Sequence, residues 1–172
     1  MERIVLTHTH VAPIGLAADL VDASGARVLS HPWNIDRLSD FDADREQTVA
    51  FYADLLRRSA VPAEVLAAVG WVTKGMKNFA RPVAVSATLD EGQILRLAGR
   101  DWQVIHTPGH SAGLICFYEP QSRLFLSGDH LLADISSNPV VEPPPPGQTQ
   151  RLSSLAAYRD SLRRVAAMDI AL

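Results

Sequence analysis

The chain has 172 residues and carries 16 Lys plus Arg against 19 Asp plus Glu, a net charge of −3. With 47% hydrophobic and 20% charged residues it has the composition of a globular domain, not that of a disordered, collagen-like or long coiled-coil chain. The weakly acidic total excludes a broad nucleic-acid surface, and the longest apolar stretch, residues 65–72, is far short of the ~20 residues of a membrane span.

Residues 3–7 read as a short buried strand that runs into His8-Thr9-His10. Pro13 suits the first turn of a helix with the stripe Ile14, Ala17, Leu20 and Val21, and Gly25 falls where its C-terminal cap belongs. Residues 27–30 read as the next strand, and this strand–helix–strand spacing predicts a βαβ unit with parallel strands. Residues 42–80 read as a helical insert. Val49, Tyr52 and Leu56 share one face of its first helix. Pro62 opens the second, where Val65, Val69, Val72, Met76 and Phe79 recur at helical spacing as a packing stripe. Trp71, Lys74 and Lys77 lie off that stripe, toward solvent.

From Val83 the period becomes β. Residues 94–97 and 102–106 flank a hairpin-like turn, and residues 114–118 and 124–127 flank another. Cys116 lies inside a strand as a core residue; as the only cysteine it cannot make an internal disulfide, which fits a reducing, cytoplasmic setting. Residues 1–8 carry no secretory pattern, because the apolar run stops after three residues. Pro143, Pro144, Pro145 and Pro146 form a stiff connector. Ser153 or Ser154 can cap a final helix with Leu155, Tyr158, Leu162 and Val165 on its apolar face, and residues 169–172 read as the start of a further strand. The fold class is α/β.

Three clusters can carry chemistry, and each follows a strand. In His8-Thr9-His10 alternate residues of an extended backbone point the same way, so two imidazoles can meet one ion. In Thr107-Pro108-Gly109-His110-Ser111-Ala112-Gly113 a tight turn holds His110 at a strand end. In Gly128-Asp129-His130 the carboxylate can bind a metal or accept a hydrogen bond from a ligating imidazole. Singly, each also reads as an ordinary turn with surface side chains. Together, three imidazoles (His8, His10, His110) and one carboxylate (Asp129) suit Zn(II) or Fe(II), and a bound metal lowers the pKa of its water to about 7.

These segments resemble the metallo-β-lactamase superfamily. Its H-x-H-x-D-H-x-G motif aligns with His8-Thr9-His10-Val11-Ala12-Pro13-Ile14-Gly15, its third-histidine motif with residues 107–113, and its bridging-aspartate motif with Ser127-Gly128-Asp129-His130. The resemblance implies an αββα sandwich with a metal site at the sheet edges, formed by His8, His10 and His110 with Asp129 nearby. It also implies that the helical insert, about residues 42–80, lies over that site as a substrate cap. The similarity is to glyoxalase II-like hydrolases, which cleave thioesters and related carbonyl substrates, so the implied partner is a small acyl substrate attacked by metal-bound hydroxide.

Three departures from the pattern matter. Ala12 and Pro13 stand where the family has an Asp and a His, the private ligands of its second metal, so one ion is expected, zinc first and iron second. The family's last histidine would lie beyond Leu172, and its first strands would precede residue 1, so the sandwich is expected to be partial and to expose apolar sheet surface that invites pairing between copies. Besides the hydrolase, two readings stay open. One is an inactive relative acting as an interaction module. The other is a mononuclear iron oxygenase resembling persulfide dioxygenases, with His8, His110 and Asp129 as ligands.

Overall fold

In the computed structural model, which describes residues 1–75 and 79–171, seven strands form two sheets. Strand β1 (Arg3–Val5) leads through two short helices, α1 (Val11–Ile14) and α2 (Ala17–Ser24), to β2 (Arg27–Ser30), and the two strands pair in parallel. Pro13 lies within the four residues of α1, and Gly25 ends α2 in the left-handed conformation (φ 65°) that a residue without Cβ adopts freely. The chain breaks between the two helices at Gly15 and Leu16, which splits the single expected helix. Ile14, Ala17 and Ala18 are buried, whereas Leu20 is exposed.

A long helical crossover follows: α3 (Ile35–Ser39), α4 (Phe41–Arg58) and α5 (Ala63–Gly75). It returns to β3 (Val85–Thr88), which pairs in parallel with β2 and completes the sheet order β1-β2-β3. The other sheet is an antiparallel meander, β4 (Ile94–Leu97), β5 (Arg100–His106), β6 (Ile115–Glu119) and β7 (Leu124–Leu126). Its first hairpin closes on Ala98 (φ 50°) and Gly99 (φ 76°), a two-residue turn with both central φ positive that matches the right-handed twist of the strands. Helix α6 (Ser154–Ala166) comes last.

The burial pattern defines the layers. Leu29 of β2, with Val5 and Ala87, meets Leu95, Trp102, Val104, Ile115 and Phe117, so the sheets face each other across an apolar core. The opposite face of the parallel sheet, Ile4 and Val28, packs on Ile14, Ala17, Ala18 and Leu38 of α1 to α3. The opposite face of the meander, Ile105, Cys116, Tyr118 and Phe125, takes Met168 just beyond α6. Helices therefore cover both outer faces, an αββα arrangement. Each fully buried Ile or Leu in it contributes about 1.5–3 kcal/mol.

Several helix faces differ from expectation. Val65 and Phe79, placed on the packing stripe of the second insert helix, are exposed, whereas Trp71 faces solvent as expected; Met76, Lys77 and the side chains of Val69, Val72 and Lys74 lie outside the described residues. Leu155 is 70% exposed while Ser161 of the same helix is buried. Ser153 is the N-terminal cap residue of α6 but makes no side-chain capping bond. The final described residues form no strand, although the Ala171 amide donates to the Arg123 carbonyl at 2.9 Å and the Tyr118 hydroxyl to that of Asp169 at 2.6 Å. Among the described residues no helix is long and apolar enough to cross a membrane.

Candidate metal centre

Strand β1 ends at the seam between the sheets. The Leu6 amide donates to Leu29 of its own sheet, while the Thr7 carbonyl accepts from Ile115 of the other, at 2.9 and 3.0 Å. Beyond this seam His10 has an extended backbone (φ −70°, ψ 156°) at the entry to α1, and the rings of His8 and His10 come together.

The loop between β5 and β6 brings the third imidazole. The Thr107 amide donates to the Leu114 carbonyl at 2.9 Å, and residues between them form a tight excursion. Gly109 (φ 142°) passes so close to the backbone of Tyr158 in α6 that a Cβ there would collide with it. The Ser161 hydroxyl donates to the Pro108 carbonyl, and the Val140 amide to that of Gly109, so α6 and the segment before the proline run hold this loop from two sides.

The result is a cluster. The rings of His8, His10 and His110 lie with centroids 4.8, 5.2 and 4.5 Å apart and nearly perpendicular to one another. Their ligand atoms all fall within 4.8 Å of each other, and His10 Nδ1 is 2.8 Å from His110 Nε2. Tetrahedral Zn–N bonds of about 2.0–2.1 Å separate ligand nitrogens by ~3.4 Å, so the three rings can close on one ion. Asp129, carried by a short 3-10 turn after β7, points its Oδ2 at the same place, 3.5 Å from His8 Nε2 and 3.7 Å from His110 Nε2.

The outer nitrogens are engaged elsewhere. His8 Nδ1 meets Thr7 Oγ1 at 3.1 Å, and His110 Nδ1 meets the Asn138 carbonyl at 2.9 Å and Ser137 Oγ at 3.0 Å. His8 Nε2, by contrast, is buried with no hydrogen-bond partner among the described residues. A buried polar atom left bare is costly unless something fills the position. Burial, reinforced by His10 and His110, pushes the His8 pKa down to about 3, and burial followed by His110 lowers that of His10. Both rings are therefore uncharged at neutral pH, the form that ligates.

Comparison with known proteins bears on this arrangement. The family model described as the metallo-beta-lactamase superfamily matches residues 2–172. The chain belongs to that superfamily. Over 170 residues it is 32% identical to the probable metallo-hydrolase YqjP of Bacillus subtilis (strain 168), covering 98% of this chain and 51% of that protein. It is 34% identical over 73 residues to a hydroxyacylglutathione hydrolase of Mesorhizobium japonicum, covering 42% of this chain and 28% of that one. The metallo-beta-lactamase family protein TTHA1429 of Thermus thermophilus superposes with a TM-score of 0.76 at 26% identity, over 98% of this chain and 52% of that one. The chain thus spans about half the length of YqjP and of TTHA1429.

Other members of the site carry no local signal in the sequence. Behind His10, Glu142 is buried; its Oε1 accepts from Arg37 Nη1 at 2.6 Å and its Oε2 from the Ala112 amide at 2.6 Å. Arg37 also donates to Asp44 at 2.9 Å and approaches Thr9 Oγ1 at 3.4 Å. Ser137 and Asn138 reach His110 from almost thirty residues downstream. The one available hint was a lone acidic residue between Val141 and the prolines. His31, which caps the short turn after β2, is buried, stacks on His106 at 4.1 Å and accepts the Trp33 amide at 3.2 Å. His106 meets the Ala112 carbonyl at 2.8 Å, as a packing residue beside the site should. His130 is buried with both ring nitrogens unpartnered among the described residues.

Proposed function

We propose that this chain carries a single-metal hydrolytic centre, with His8, His10 and His110 as the imidazole ligands and Asp129 as the carboxylate, acting on a small thioester or ester. The observation that carries the reading is the convergence of three imidazoles, with the bare buried Nε2 of His8 among them, on one point faced by a carboxylate. Zinc suits that donor set, and iron also accepts it. When bound, such an ion supplies Lewis-acid polarisation of a carbonyl and a more acidic water.

The chain's own residues do the rest. Thr7 and Asn138 fix the outer nitrogens of His8 and His110, so their inner nitrogens stay available. Asp129, half-exposed between two imidazoles, is placed to accept a proton from a nucleophilic water. Ala12 and Pro13 have no ligating atoms, so the water-orienting carboxylate that the resemblance assigns to that position is missing. Loss of such a group costs ~10²–10⁴-fold in rate. The thioester assignment is supported by the similarity to the Mesorhizobium hydroxyacylglutathione hydrolase. We assign the helical segment of residues 42–80 as a cap. Tyr52 of α4 donates to the Val141 carbonyl at 2.6 Å, and α4, Thr9, Ser111, Glu142 and the prolines wall a cavity of about 320 Å³.

The test is a panel of thioesters, lactones and lactams offered to the zinc-loaded and iron-loaded protein. Slow thioester cleavage that disappears in His110→Ala, and rises in the Ala12→Asp/Pro13→His double variant, is the expected result. No cleavage of any member by either form contradicts the hydrolase reading.

A further inference from the structure

An imidazole that ligates through one nitrogen carries its proton on the other, and that N–H needs an acceptor to hold the ring and its tautomer. For His8 the partner is Thr7 Oγ1, and for His110 it is the Asn138 carbonyl. His10 is the ring left over. Its inner nitrogen, Nδ1, faces His110 Nε2 at 2.8 Å, and its outer nitrogen, Nε2, faces Glu142 Oε1 at 4.0 Å.

We propose that Glu142, held by Arg37, is the positioning residue of His10, its carboxylate receiving the Nε2–H when Nδ1 is committed to a metal ion. The inference rests on the metal centre proposed above. Glu142 is only 8% exposed, and both of its oxygens are pinned, one by Arg37 and one by the Ala112 amide. Those two bonds fix the orientation of the carboxyl group. Ala112 follows His110 by two residues and Thr9 precedes His10, so Arg37 and Glu142 tie the loops of both ligands to α3 and, through Asp44, to α4.

The distance of 4.0 Å is itself informative. His110 Nδ1 faces a carbonyl and so donates to it; in the neutral ring Nε2 is then the acceptor of the 2.8 Å contact and His10 Nδ1–H its donor. With its proton there, His10 Nε2 is bare too and has no bond to offer a carboxylate, so the pair stands apart. Metal uptake reverses this: His10 loses the proton at Nδ1 and gains one at Nε2, staying neutral, and Glu142 is the acceptor waiting opposite.

The experiment measures zinc(II) affinity by chelator competition for the wild type, Glu142→Gln and Glu142→Asp. The cobalt(II) absorption spectrum of each protein and the His10 tautomer by long-range ¹⁵N–¹H NMR on the zinc-loaded wild type complete it. The expected result is a loss of about 10–100-fold in affinity for Glu142→Gln, with a perturbed cobalt spectrum, partial recovery in Glu142→Asp, and His10 protonated at Nε2 in the wild type. Wild-type binding with Glu142→Gln within twofold of it overturns this inference alone. So does a zinc-loaded His10 protonated at Nδ1, a reading that decides the matter even where Glu142→Gln does not fold. A wild type that takes up neither zinc nor cobalt overturns the metal centre and this inference with it.

Discussion

Burial sets the acid-base behaviour of single residues here. His31, packed against His106, has its pKa pushed down to about 3 by burial and then by its neighbour, and burial followed by Arg164 brings His130 to about 4. The folded protein refuses protons that the unfolded chain accepts near 6.5. The stability these rings contribute as neutral groups is therefore complete above pH 6.5 and is lost as the pH falls toward 3. The urea midpoint of the metal-free protein should fall between pH 7.5 and 5. His31→Asn keeps an acceptor for the Trp33 amide and removes one titrating ring, so its slope should be shallower by up to about 1.4 kcal/mol per pH unit. A midpoint flat over that range in the wild type would contradict the burial argument. Gly109→Ala should cost at least about 2 kcal/mol, read by the same unfolding assay, since the new methyl both meets Tyr158 and strains a positive φ. The four proposed ligands stood out in the sequence because strand ends announce themselves locally. Arg37 and Glu142 did not, because they meet across more than a hundred residues and only the closed fold makes them neighbours.

At the scale of elements, periodicity gave β2, the two hairpins and the final helix, since strand alternation and turn residues act over a few positions. It misread helix faces. A stripe of apolar side chains shows which face a helix can bury, but the neighbour that covers it belongs to another part of the fold. Leu155 and Val65 stay exposed among the described residues, while Ser161 is buried and bonds the Pro108 carbonyl. The β4–β5 turn offers a direct check. Ala98 sits at φ 50°, where a Cβ is strained and Asn is tolerated. Ala98→Asn should raise stability by about 0.5–1 kcal/mol in chemical denaturation; a decrease would show that the turn differs from the one described.

The whole molecule presents two sheets, two helical layers and a set of large apolar side chains in solvent. Trp71 is 79%, Phe79 66% and Ile135 69% exposed. With a net charge of only −3 to keep copies apart, the chain should self-associate, and its light-scattering mass should rise with concentration. A mass constant at 18.7 kDa would contradict this. Metal binding acts at the same scale. If the ion binds only the folded state, zinc at a hundredfold excess over its Kd adds about 2.7 kcal/mol, so a chelator should lower the Tm.

The central claim is that His8, His10, His110 and Asp129 form one metal site. Elemental analysis of the gently purified protein, repeated after reconstitution with zinc or iron, tests it most directly. The expected result is close to one ion per chain in the wild type and almost none in His110→Ala. A ratio near two, no metal after reconstitution, or full retention in His110→Ala would contradict it.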